Sequence, residues 1–281
     1  MASALDSLQL RAVRDVRLLL AAWAYELRKV TTWRVGFFVR ELMRGMWRPL
    51  VMIFVYRGIL AAPGARIGSY DAGSMTSYLI LAATSEKLLF HQRGLDLADQ
   101  VFQGYVTKYL VMPLRYYLLA LARFGQHLTV QGAVLVVLWV LGRICAPETW
   151  PVPVSVTAGI EALVLVLLGS YCYFLVCFIV NILAFWLDVV WTLFAMTAFV
   201  FSFVAGTLVP VSVMPPALRA VFHWAFPYWA VSAPVELFLG RLEHADFGRG
   251  LAVLTGSIVV LEIARQALWR RGLFRYVGAG M

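Results

Sequence analysis

Apolar positions return at helical spacing near the start of the chain before they merge into long runs. Over residues 1–34, Leu8, Val13, Val16, Leu19, Leu20 and Trp23 are set against Arg11, Arg14 and Arg17. That spacing predicts an amphipathic helix lying on the cytoplasmic membrane surface, with a soluble extension as the alternative. Charges scattered through its apolar positions set it apart from a cleavable signal peptide. Runs long enough to cross a bilayer follow, each needing about 20 mostly apolar residues. Six spans are predicted, over about 36–60, 72–90, 114–141, 152–180, 185–210 and 249–269.

The first run is the least regular. Arg40, Arg44 and Arg48 repeat every fourth position, a stripe that either snorkels to the interface or faces protein. Glu41 can pair with Arg44 at i, i+3. Between the fifth and sixth runs, Pro210, Pro215, Pro216, Pro227 and Pro234 cut residues 206–240 into pieces of 15 or fewer. Proline removes a backbone donor and ends or kinks helices, so one or two short helices that dip into the outer leaflet are expected there. An amphipathic surface loop is the competing reading, and Phe222, Trp224, Phe226, Tyr228 and Trp229 suit an interface in either case.

Composition sharpens this into an integral membrane protein. Of 281 residues 62% are apolar and 14% charged, about half the charge of a soluble domain, so lipid must serve as the second solvent. Low-complexity tracts and repeats are absent, which makes residues 1–281 one membrane domain. The net charge of +9 is an arginine excess that orients the chain rather than binding nucleic acid. Residues 1–48, 91–123 and 265–281 hold 17 of the 24 Lys and Arg, against six in the segments placed outside. Both termini are therefore expected in the cytoplasm. Cys145, Cys172 and Cys177 cannot build a disulfide framework.

Catalytic devices are missing from the sequence. None of the three lysines follows a glycine, so there is no G-x-x-x-x-G-K phosphate loop. Helix-borne histidine pairs and G-x-S-x-G elbows are also missing. Asp96 and Asp99 at i, i+3 are a weak basis for a divalent metal, which needs further oxygen ligands. Two carboxylates sit inside apolar runs, where they are expensive and must face protein, water or an interface. Glu262 can pair with Arg265 at i, i+3, whereas Glu161 has no basic residue within a turn and is the better candidate for a path or subunit interface, with a solvated place near the outer boundary as the alternative.

The six runs, the amphipathic start, the loop HQRGLDLADQVFQGYVTKYLVMPLR, the stretch GTLVPVSVMPPALRAVFHWAFPYWAVSAPVELFLG and the close ALWRRGLFRYVGAG together resemble the permease subunit of bacterial ABC-2 type exporters. The resemblance implies an all-α fold of six transmembrane helices, with an interfacial N-terminal helix and re-entrant short helices between spans five and six. It implies a place in the bacterial cytoplasmic (inner) membrane, pairing with a second identical or related permease, and two separate ATPase subunits that carry ATP and Mg. This chain would bind no cofactor itself. By the same resemblance 91–108 is the coupling loop, with Arg93, Leu95, Asp96, Asp99, Val101 and Phe102 facing the ATPase. Pro113 and Leu114 open the third span, and 206–240 is an external gate containing Gly206, Pro210, Pro215, Pro216, Phe226 and Pro227. Two other readings stand beside it: an integral-membrane enzyme acting on lipid-linked substrates, and a membrane scaffold of a secretion or motility machine.

Overall fold

A computed structural model describes residues 2–31, 36, 50–62, 64–90, 96–112, 115–148 and 150–275. It is 80% helical, with no strand among these residues. In chain order the helices are α1 (Ala2–Thr31), α2 (Leu50–Ile59), α3 (Ala72–Leu89), α4 (Asp96–Phe102), α5 (Val106–Val111), α6 (Tyr116–Cys145), α7 (Val156–Ile182), α8 (Trp191–Val204), α9 (Pro216–Phe222), α10 (Phe226–Ala230), α11 (Ser232–Phe238) and α12 (His244–Arg275). The arginine stripe Arg40, Arg44 and Arg48 lies outside the described residues, as do Arg93, Leu95, Pro113 and Leu114.

Three described helices, α6, α7 with its 3-10 extension to Phe185, and α12, are long and apolar enough to cross a membrane. They account for the third, fourth and sixth predicted runs. Of the others, the first lies largely outside the described residues, and the second and fifth form helices that are more polar or shorter. α8 has 14 residues, about 21 Å at the helical rise, against about 30 Å of hydrocarbon. The fifth run is shorter than predicted because the chain leaves the helix at Ala205 and turns at Gly206, whose φ of 74° is open to glycine at little cost. α3 has 18 residues but carries Glu86 and Lys87 in its last turn.

The core is built around α7. Of its apolar window 61% is buried, against 17% for α6 and 11% for α12, so α7 is enclosed by protein while the other two offer most of their surface to the surroundings. Its start is capped by Ser155, whose hydroxyl accepts from the Ala158 amide at 3.1 Å, satisfying a donor that the first turn leaves open. α12 packs along α7, with Leu254 fully buried and its carbonyl 3.6 Å from the Cys172 thiol. Cys172 and Cys177 are both free and buried, in keeping with the small apolar residues their spacing suggests. On the outer side of α6, Val136, Val140, Leu141 and Ile144 are exposed, a face that suits hydrocarbon rather than water.

The N-terminal helix differs from the surface helix read in the sequence. α1 packs against α6: the Trp23 ring lies where a side chain at Gly125 would begin, 3.4 Å from that position, and Glu26 is buried. Residue 23 meets 125 and residue 26 meets 123, so the two helices run antiparallel. The expected apolar face is accordingly split. Trp23 and Leu19 turn partly inward, while Val13, Val16 and Leu20 stay exposed. The pattern showed that one side was apolar but not that a buried carboxylate would sit beside it.

Candidate functional site

Two polar clusters occupy opposite ends of α7. At the end where α7 finishes, α4 lies against the bundle through Leu97 and Ala98, both buried. The Asn181 side chain of α7 accepts from the Ala98 amide at 3.2 Å and returns its own NH2 to the Cys177 carbonyl at 2.8 Å. Val101 is partly buried, packed against Val180, Ala184 and Val190, and its position on the seven-residue helix places it on the same side as Leu97 and Ala98. Phe102 and Asp99 point away and are exposed, Phe102 at 46%. Asp96 does not join Asp99. It accepts a 3.0 Å ion pair from Arg123 Nη1 of α6, so the carboxylate pair that suggested a metal is divided between two surroundings.

Arg123 also reaches Glu26 of α1, Nε to Oε1 at 3.3 Å, and Lys29 Nζ approaches the same oxygen at 3.3 Å. Neither Glu26 nor Arg123 was singled out in the sequence, because their partners lie 97 and 27 residues away along the chain. The burial of the side chains supplies the physical weight. Glu26 is 1% exposed and Arg123 13%, and a charge so placed must be paired to be tolerated.

Beside this knot, Glu262 of α12 forms a second one. Its Oε2 takes Arg265 Nε at 2.7 Å, the i, i+3 pair expected from the spacing, and its Oε1 takes the hydroxyls of Tyr117 from α6 and Tyr171 from α7. The Arg265 guanidinium lies 3.8 Å over the Tyr117 ring. Three helices are thereby pinned at one point. Glu161 has a contact from another helix: His244 Nδ1 at the start of α12 sits 2.8 Å from its Oε2, with the His244 side chain 65% exposed and that of Glu161 21%.

At the opposite end, the proline-rich stretch folds into three short helices rather than the one or two expected, and none exceeds seven residues. Pro216 and Pro227 stand in the first two positions of α9 and α10, and Pro234 in the first turn of α11, where amides have no intrahelical partner and the missing donor is harmless. Pro215, the residue before α9, is exposed like Pro216, while Pro210 and Pro227 are buried and the Phe226 ring packs tilted against Phe201 at 5.8 Å. α10 presses so closely on α7 that a side-chain carbon at Gly169 would collide with Ala230.

The interior of this end is polar without ion pairs. Tyr78 of α3 donates to the Gly206 carbonyl at 2.9 Å and lies 2.8 Å from the Ser232 hydroxyl, which donates to the Ala205 carbonyl at 2.8 Å. Glu236, also absent from the sequence reading, is 7% exposed. Tyr228 donates to its Oε2 at a long 3.4 Å, and Oε1 has no hydrogen-bond partner. Burial pushes its carboxyl above the ordinary range, and the Ser212 and Tyr228 hydroxyls and the Arg241 charge offset only part of this. Arg241 itself is held 3.8 Å over the Tyr70 ring.

Between α3, α6, α7 and α11 lies an open cavity of about 510 Å³, lined by residues such as Leu88, Leu135, Trp139, Val166 and Phe238 and reaching the exposed Val136 and Val140. Its few hydroxyls are satisfied locally, Thr84 and Ser85 donating back to the Leu81 carbonyl at 2.7 and 3.1 Å. Such a lining can accept only apolar groups. Among the described residues no group of three or more His, Cys, Asp or Glu side chains could hold a metal ion.

The family profile described as ABC-2 family transporter protein matches residues 48–280. The chain belongs to the ABC-2 transporter family. It is thus a multi-pass membrane permease of an ABC-2 type transporter, and the bundle around α7, both polar clusters and the cavity all lie within the matched region. Of the groups described above, only Glu26 and the rest of α1 precede it. Permeases of this family are generally non-enzymatic and work with ATPase subunits, a division of labour consistent with a permease sequence lacking a phosphate loop. No curated protein matches the chain.

Proposed function

We propose that this permease is the membrane-spanning subunit of an ATP-driven exporter in the bacterial cytoplasmic membrane, forming the translocation path and coupling to two separate ATPase subunits. Both termini and α4 face the cytoplasm, a second identical or related permease completes the path, and residues 206–240 close it from outside as a re-entrant gate. The observation that carries this reading is the family match over residues 48–280. The arrangement of α4 supports it: one side is seated on α7, and the other presents Phe102 and Asp99 outward, as a docking element needs. ATP binding would bring the ATPases together, and α4 would pass that motion to the spans as rigid-body movement.

Coexpression with the cognate ATPase and copurification from the membrane test it. A stable complex is expected, while the permease alone hydrolyses no ATP. Phe102→Ala should weaken the complex by about tenfold or more, the effect of truncating an interface anchor worth about 2 kcal/mol, without lowering the melting temperature of the isolated permease. Impermeant thiol labelling of Arg219→Cys, in a chain without native cysteines, should occur from outside only, and labelling at Phe226→Cys should change with the ATPase's nucleotide state. Nucleotide hydrolysis by the isolated chain, or labelling of position 219 only from the cytoplasm, would refute the assignment.

A further inference from the structure

We propose that Arg123 is a positioning residue that clamps α1 and α4 onto α6, so that a displacement delivered at α4 moves the N-terminal helix and the base of α6 as one body. The guanidinium is the cation shared by two carboxylates on different helices: Nε faces Glu26 at 3.3 Å, and Nη1 faces Asp96 at 3.0 Å. Separate nitrogens serve the two partners, which the planar fork of arginine allows and a single ammonium does not. Neither arm is an ordinary surface pair. Glu26 is 1% exposed and Arg123 13%, so separating them takes a partner from charges held largely away from water. Asp96 opens α4 in its first turn, where a carboxylate is also favoured by the helix dipole. Trp23 packed over Gly125 adds apolar contact one turn further along the same face.

The position suits a lever. Arg123 lies seven residues beyond Tyr116, the start of α6, or about 10 Å along the axis. The 30 residues of α6 extend about 45 Å, and only about 30 Å of that can be hydrocarbon. The clamp therefore stands at the edge of the apolar layer, between α4 and the body of the span. Within α4, Asn181 fixes the helix to α7 at the Ala98 amide, while Arg123 fixes its first residue to α6. α4 is thus held at two points on two helices, and α1 is joined to it through the second.

As a route for coupling the clamp rests on the reading of α4 as the ATPase-facing element; as a connection within the chain it does not. Spin labels at Arg28→Cys and Gln103→Cys, both exposed positions, report the α1 to α4 distance by pulsed electron resonance in lipid nanodiscs, with Cys145, Cys172 and Cys177 replaced by alanine. The isolated permease with Arg123 intact is expected to give one narrow distribution, which Arg123→Ala broadens. Glu26→Gln keeps the side-chain shape and leaves the Arg123–Asp96 pair in place, so it should broaden the distribution even where Arg123→Ala fails to fold; Arg123→Lys should restore it only in part. A distribution as narrow in Glu26→Gln as in the parent would overturn the clamp. In the complex with the ATPase, the same distance should stay constant when ATP is added, and a nucleotide-dependent change in the parent protein would overturn movement as one body. Failure of any ATPase to bind would instead refute the proposed function and leave the clamp to be judged on the isolated permease.

Discussion

The two ends of α7 solve the problem of buried polarity in opposite ways. Where α7 finishes, two carboxylates, Glu26 and Asp96, are met by one arginine, Arg123. Where it begins, the stretch 206–240 is held by hydroxyls, carbonyls and close packing, and its one buried carboxylate, Glu236, has an oxygen without a partner. Full ion pairs resist separation because each half is costly to strand. Neutral hydrogen bonds contribute about 1 kcal/mol each and exchange readily for water. The first end therefore resists coming apart and the second can rearrange at lower cost, which fits the lever and the gate proposed above.

That contrast can be broken most forcefully at Arg123. Arg123→Ala removes the cation shared by the buried Glu26 and by Asp96, and the loss should be about 3–5 kcal/mol, seen as a large fall in the melting temperature of detergent-purified permease. A drop no larger than that of an exposed arginine would erase the distinction between the two ends. Next in size is packing at the other end. Gly169→Ala drives a methyl into Ala230 and should cost about 1–3 kcal/mol, the usual range for overpacking, measured by the same melt.

A smaller, pH-dependent effect is expected at Glu236. Its folded carboxyl holds a proton more tightly than the unfolded one because burial disfavours the charge. The native state then binds more protons than the unfolded state between the ordinary carboxylate pKa and the raised one, so stability falls as pH rises through that window. Glu236→Gln removes the loss: the variant should melt higher than the parent at pH 8, and the two curves should converge below about pH 4, where both forms of the carboxyl are protonated. A constant difference at every pH would show that Glu236 stays neutral throughout and stabilises only by shape. Least affected should be Glu161→Gln, since an exposed pair with His244 contributes about 0–1 kcal/mol. A larger loss of stability or of ATPase association would reopen its reading as a path residue.

Much of this was legible along the chain. Apolar runs announced the long helices α6, α7 and α12 because a span must satisfy its own backbone and present carbon to lipid. Prolines announced a broken segment, since each removes a donor, and Glu262 announced Arg265 because three residues bring two side chains to one helix face. That Val101 packs partly inward was not legible, because only the fold sets α4 against its own bundle. The contact of Glu161 with His244 was not legible, because it comes from another helix 83 residues on.

What the sequence alone determined is therefore whatever depends on spacing within one helix or on the solvent that surrounds it: the membrane class, the long spans, the proline-cut segment and the absence of a phosphate loop. Only the tertiary structure decided which charges meet. Glu26, Arg123 and Asp96 carry no local signal, since each is an ordinary charged residue near an apolar run, and Glu236 looks like any acid near a helix end. Their roles arise because folding brings distant residues together out of water, and in that low-dielectric setting a carboxylate's worth is set by the neighbour it finds rather than by its place in the chain.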